Sequence, residues 1–119
     1  MGIHNKLGLK GEQLAVAHLK KNGYYILERN YRHDRAEVDI IAKMNDFLIA
    51  VEVKTRSTLN FGNPQDFVSS KQIKNLVKAV DAYININNLD CEVRFDIIAI
   101  VKQGNSYKIE HLKNAFYHF

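Results

Sequence analysis

The sequence predicts an α/β fold: a central mixed β-sheet of about five strands flanked by helices, in the order α-β-β-β-α-β-β, within one domain over residues 1–119. Three observations point there. Two long stretches carry apolar residues at helical spacing, and five shorter runs are rich in β-branched and aromatic residues. No internal repeat, low-complexity tract or Pro/Gly/Ser linker divides a chain whose 119 residues suit a single core. Strands and helices intermixed in this way call for a sheet covered by helices.

The first helix spans about Asn5 to Asn22, with Gly23 placed to end it. Tyr24 to Glu28 reads as a short strand, followed by a polar segment, Arg29 to Arg35. A hairpin comes next, Glu37 to Lys43 and Phe47 to Lys54, around Asn45-Asp46. A loop through Phe61, Gly62, Asn63 and the single proline, Pro64, leads to Ser69 and Ser70, both good helix N-caps. Ile73, Leu76, Val77, Val80 and Ile84 then fall on one face of a helix running to about Ile86. Val93 to Val101 and Tyr107 to Leu112 are the last two strands.

Composition narrows the class of protein. Apolar residues make up 46% and charged residues 25%, which excludes a disordered chain. Seventeen Lys and Arg against 13 Asp and Glu give a net charge of +4, a mild excess that permits a polyanionic partner without requiring one. The lone Cys91 excludes an internal disulfide framework and fits a reducing compartment. MGIHNKLGLKGEQ has no apolar signal core, and no apolar run nears the ~20 residues of a membrane span. A soluble cytoplasmic protein with no membrane partner is expected.

The hairpin holds the anomaly. Asp39, Glu52 and Lys54 interrupt apolar strands, although strand interiors disfavour Asp and charges are rarely buried unpaired. With Asn45-Asp46 as a two-residue turn, Asp39 lies opposite Glu52. Glu52 and Lys54 share a face, with Glu37 and Asp39 on that polar side and Val51 and Val53 on the other. In the first helix Glu12 shares its arc with Ala15, Val16 and Leu19, the residues expected against the sheet. Two readings fit. Lys54 neutralises a carboxylate in an ordinary ion pair, with Glu12 pointing to water. Alternatively, Asp39 and Glu52 bind a divalent cation, since contacting acids repel by ~4 kcal/mol at an effective dielectric of about 20 and hard cations take oxygen ligands.

Asp39, then Glu52-Val53-Lys54, with Glu12 in an N-terminal helix, resembles the PD-(D/E)xK nuclease superfamily, the restriction-endonuclease-like fold of archaeal Holliday junction resolvases and RecB-type nucleases. The ordered set is closest to the small bacterial YraN-type family and covers almost the whole chain: Gly11-Glu12 with Ala15, Gly23-Tyr24, Asn30, Glu37-Val38-Asp39, Val51 to Arg56, Phe61-Gly62, Lys71, Arg94-Phe95-Asp96, and His111 with Asn114-Ala115-Phe116. Ala36 stands where glycine is usual, and Val38 where the superfamily's proline would be; neither change removes a ligand.

The resemblance implies metal-assisted hydrolysis of a DNA phosphodiester, with Mg²⁺ or Mn²⁺ held by Asp39, Glu52 and the Val53 carbonyl, and Glu12 serving a second ion or a metal-bound water. Lys54 would orient the water or neutralise the developing anion. Glu37 either pairs with a nearby arginine or joins the metal. Arg32, Arg35, Arg56, Lys71 and Lys74 flank the site and could hold phosphates of the nucleic acid. Tyr31 and Phe61 either stack on bases or pack internally. Asp96 is expected as a structural partner of Arg94. His4, His18, His33, His111 and His118 lack zinc-site spacing and are assigned no role. A homodimer could form through Asn60 to Phe67 or the tail Phe116-Tyr117-His118-Phe119, which could equally pack on its own sheet. A nucleic-acid-binding module of the same fold, with little or no turnover, is the alternative function.

Overall fold

A computed structural model describes residues 6–57 and 68–115 of the chain. The elements are α1 (Lys6–Lys21), β1 (Tyr25–His33), β2 (Ala36–Met44), β3 (Phe47–Arg56), α2 (Ser70–Ile86), β4 (Glu92–Gln103) and β5 (Ser106–Leu112). They form one five-stranded sheet in the order β1-β2-β3-β4-β5, with β3 and β4 parallel and the other pairs antiparallel. The expected mixed α/β architecture is the observed one.

Local chemistry explains the boundaries. Ser69 Oγ accepts the Gln72 backbone N–H at 3.2 Å while Gln72 Oε1 accepts the Ser69 N–H at 2.9 Å, a reciprocal cap at the start of α2. At the end of α1, Gly23 adopts φ 88° and the Tyr24 N–H reaches back to the Leu19 carbonyl at 2.9 Å. That closure brings Tyr24 and Leu19 into one core, as helix-ending glycines commonly do. The β2–β3 turn at Asn45-Asp46 has two residues, Met44 pairing with Phe47, and Asn45 tolerates its φ of 54°.

One expectation needs correction. The polar segment after Glu28 is strand: β1 continues to His33 and turns into β2 through Asp34-Arg35, with His33 opposite Ala36. The tertiary reason lies in the burial pattern. This part of β1 is mostly exposed, so its sequence lacks an apolar alternation to announce it, while β2 supplies the hydrogen-bond partners.

The sheet has a core on each face. Ala15, Val16 and Leu19 of α1 pack with Ile40, Ala42, Ile49, Val51, Val53, Ile98 and Ile100. Leu76, Ala79, Val80 and Tyr83 of α2 pack with Val38, Ile41, Leu48, Ala50 and Phe95 on the other. Because β3 and β4 are parallel, their connection must cross the sheet end to end, and α2 lies within that crossover.

Gly11 sets how closely α1 approaches β3. A Cβ at that position would lie 3.0 Å from Thr55 Cβ and overlap Thr55 Oγ1. Only hydrogen fits, and the neighbouring Glu12 is thereby brought down to the sheet, 6% exposed. Gly11→Ala is expected to destabilise the protein by about 1–3 kcal/mol through overpacking, against the ~1 kcal/mol that alanine gains in a helix. Denaturant midpoints measure this, and Thr55→Ala should restore part of the loss by removing Oγ1.

Candidate active site at the β2–β3 split

The β2–β3 ladder runs from Met44–Phe47 to Ile40–Val51, which places Asp39 and Glu52 at the next opposed position. There the two strands part. Val38 packs in the core under α2, whereas Ile40, two residues along, packs in the core under α1. Regular strand alternation would put both on one face. The alternation therefore inverts at Asp39, and across the β1–β2 register Asn30 stands at the same level with φ 53°. A single polar strand face shared by Glu37, Asp39, Glu52 and Lys54 is not what forms. The register sets Asp39 opposite Glu52, and the break in β2 lets its carboxylate reach the Val53 backbone.

The break leaves a backbone donor to satisfy. Asp39 Oδ2 accepts the Val53 N–H at 2.8 Å, taking the place of the β2 backbone. The other edge of β3 remains paired with β4 through Arg56–Val101. The N–H and C=O of one strand residue project to the same edge, so the Val53 carbonyl is also directed into the split.

Charge balance at the split is unfavourable without a cation. Burial, then the adjacent Glu52 carboxylate, push Asp39 up to about 8; the Val53 hydrogen bond opposes this and the charge of Glu12 adds to it. Burial also raises Glu52, partly offset by the Lys54 ammonium, whose Nζ lies 3.3 Å from Glu52 Oε2. Both side chains of that ion pair are largely buried. Asp39 and Glu52 act on each other as close neighbours, and burial together with that proximity favours a protonated Asp39. One ammonium thus faces two contacting carboxylates and the field of a third.

Glu37 pairs with its cross-strand neighbour Arg32 at 3.6 Å, and its charge still reaches Glu52. Arg35 is exposed in the β1–β2 turn, and Lys71 and Lys74 are exposed near the start of α2. Arg56 Nη1 donates to the Thr55 carbonyl at 2.9 Å, two residues beyond Lys54. Tyr31 packs edge-on against Tyr83, ring centroids 5.1 Å apart, and so takes the internal role. Phe61, Asn60 to Phe67, His4 and the tail from Phe116 lie outside the described residues. Among the described residues, no three His, Cys, Asp or Glu side chains are grouped to hold one metal ion. The donor set in the split is Asp39, Glu52 and the Val53 carbonyl.

A second polar cluster lies beneath α1. Asp96, 0% exposed, accepts from Arg94 Nε at 2.9 Å and Nη2 at 2.8 Å, from His111 Nε2 at 2.8 Å and from the Asn114 N–H at 3.0 Å. Burial alone would raise its pKa; the bonds from His111, Arg94 and Asn114 together hold it below the ordinary value. Arg94 Nη2 also donates to the Tyr24 hydroxyl at 2.7 Å. The pairing of Asp96 with Arg94 follows from their shared face two residues apart. His111 and His18 escaped sequence reasoning, although Tyr107, Ile109 and His111 alternate on one face of β5 and could have revealed the inward His111.

Known proteins share this sequence over most of its length. A profile of the uncharacterised protein family UPF0102 matches residues 11–100. A UPF0102 protein of Christiangramia forsetii is 61% identical over 119 residues, covering 100% of both chains. One from Flavobacterium johnsoniae is 58% identical over 123 residues, again covering 100% of each. One from Bacteroides thetaiotaomicron is 44% identical over 117 residues, covering 98% of this chain and 97% of its own.

Asp39 holds its proton in the folded state up to about pH 8, whereas an unfolded aspartate releases it near 3.8. The native state binds more protons across that window, so this group's contribution to stability falls as pH rises through it. Urea midpoints in chelator should show this decline for the native chain and a flatter profile for Asp39→Asn. Asp96→Ala should cost about 3–5 kcal/mol, because it strands the Arg94 guanidinium without its carboxylate; the same urea midpoints measure it.

Proposed function

The chain belongs to the uncharacterised protein family UPF0102; as that name states no activity, we propose from the site itself a metal-dependent endonuclease that hydrolyses DNA phosphodiester bonds, with branched or repair intermediates as substrates. The observation that carries this reading is the juxtaposition of the half-buried Asp39 and Glu52 carboxylates in the split, with Asp39 raised to about 8. Two adjacent half-buried carboxylates, one of them inclined to keep its proton, are a site from which a divalent cation can displace that proton, and carboxylate and carbonyl oxygens suit Mg²⁺ or Mn²⁺. The residues present therefore fit such an ion, held by Asp39, Glu52 and the Val53 carbonyl. When bound, a divalent cation supplies Lewis-acid polarisation of a phosphoryl oxygen and acidifies a water.

The chain's own groups do the positioning. The Val53 N–H holds Asp39 in one orientation, so the ligand is in place before substrate arrives. Lys54, tethered 3.3 Å from Glu52, stands where an ammonium can offset charge gathering on a pentacoordinate phosphate. Glu12, lowered by the Gly11 contact, adds negative potential that favours a cation. Arg35, Arg56, Lys71 and Lys74 are candidates for phosphate contacts, which fix register without reading sequence. Arg32 can join them by exchanging its contact with Glu37 for a phosphate. The likeness to PD-(D/E)xK nucleases in the order of Glu12, Asp39, Glu52 and Lys54 supports the same reading.

Cleavage of branched, flapped and single-stranded DNA with Mg²⁺ or Mn²⁺ is expected. Asp39→Asn and Glu52→Gln should each lower the rate by at least about 10²-fold, a loss of ~2.7 kcal/mol of transition-state stabilisation. No cleavage by the native chain, or cleavage indifferent to both substitutions, would reject catalysis. Retained DNA binding in that case would favour the binding-module alternative.

A further inference from the structure

Beneath α1, the Asn22, His18, His111 and Asp96 side chains form one chain of contacts from the surface to a buried carboxylate. His111 Nε2 lies 2.8 Å from Asp96 Oδ2, His18 Nε2 lies 3.1 Å from His111 Nδ1, and Asn22 Nδ2 lies 3.5 Å from His18 Nδ1. The ends fix the protons between. An ionised carboxylate only accepts and the Asn22 amide nitrogen only donates. His111 must therefore give its Nε2–H to Asp96 and accept at Nδ1 from the Nε2–H of His18, leaving His18 Nδ1 as the acceptor facing Asn22. Each ring carries one proton.

Further protons do not fit this arrangement. A proton on His18 Nδ1 would face the Asn22 amide, itself anchored to the His18 carbonyl at 2.8 Å. Protons on both rings would set two N–H groups against each other across 3.1 Å. The surroundings are also cationic. Lys21 from α1 and Lys113 beyond β5 act on His18, and Arg94 from β4 flanks the Asp96 end. Tyr24, just before β1, is already committed to Arg94, and the anion in contact with His111 is Asp96. Burial, then any positive charge on His111 and the charges of Lys113 and Lys21, depress the His18 pKa.

We infer that the His18–His111 contact is an acid-sensitive latch holding α1 to the sheet, and that α1 in turn positions Glu12. His18 and Glu12 are six residues apart on one continuous helix, so about 9 Å of rigid backbone connects latch and site. The latch pins one end of α1 against β5, and the Gly11–Thr55 contact pins the other against β3. Its effect on stability runs opposite to that of Asp39. Because the folded pKa of His18 is depressed, the native state binds fewer protons than the unfolded chain. The stabilisation is complete above pH 6.5 and is lost as pH falls below it. The step from α1 to Glu12 rests on the proposed metal site; the latch itself does not.

Amide hydrogen exchange along α1 tests it in the full chain from pH 8 to 5, corrected for intrinsic exchange, with the imidazole nitrogens followed by NMR. Below pH 6.5, opening of residues 15–21 should increase by up to about tenfold per pH unit as His18 takes up a proton, in step with the titration of its ring. His18→Gln keeps a donor to His111 but cannot become charged, and should make α1 exchange nearly independent of pH. Opening that ignores pH in the native chain, or an unchanged pH response in His18→Gln, overturns the latch, and the native titration decides even if the variant folds poorly. A working latch in a chain that cleaves no DNA would support this inference while rejecting the nuclease reading.

Discussion

Where β2 leaves β3, a backbone N–H loses its ladder partner, and the carboxylate of Asp39 takes its place at Val53. Most features of the site are consequences of that substitution. A buried donor without an acceptor costs about 1–3 kcal/mol, so the split can exist only if a side chain fills the gap. Asp is short enough to do so and, once there, is held beside Glu52, where partial burial raises the pKa of both carboxylates. The bond that repairs the sheet also concentrates negative charge, and the raised pKa of Asp39 is the mark of that conflict.

The helices serve the same point from the α1 face and through the crossover. α1 descends onto β3 because Gly11 has no side chain, and this lets Glu12 act on Asp39 from a buried position. α2 spans the β3-to-β4 connection that a parallel pair requires, which keeps β3 internal, hydrogen-bonded to β4 while β2 peels away. A site placed on an internal strand is more rigid than one carried on a loop. Lys54 inherits that rigidity, because its strand is fixed on the β4 side.

The two buried polar clusters contrast in how they are compensated. Asp96 is fully enclosed yet stays ionised, because four hydrogen bonds from Arg94, His111 and the Asn114 backbone outweigh its desolvation. Asp39 has a single backbone donor and a like-charged neighbour, and there desolvation wins. The first cluster is satisfied within the fold and joins α1, the residue just before β1, β4 and β5. The second is left short of positive charge. Under-compensation at one of two otherwise comparable sites is what separates a candidate for chemistry from a structural network.

Much of this was legible in the chain itself. The apolar spacing of Ala15, Val16 and Leu19 placed Glu12 against the sheet, and the two-residue Asn45-Asp46 turn placed Asp39 opposite Glu52. The Ser69 cap and the stripe ending at Ile86 located α2. These are short-range matters of periodicity and turn geometry, set by neighbouring residues. The extension of β1 through its polar half was hidden, because an exposed strand owes its existence to a partner rather than to its own side chains. The inversion at Asp39 was hidden for the same reason: it is a property of two strands parting. His18 and His111, 93 residues apart, meet only because α1 covers the face of the sheet on which β5 presents His111. Residue order alone dictated which side chains could carry charge into the interior. Packing then selected which of those charges would be matched, since compensation depends on distances between segments remote in the chain.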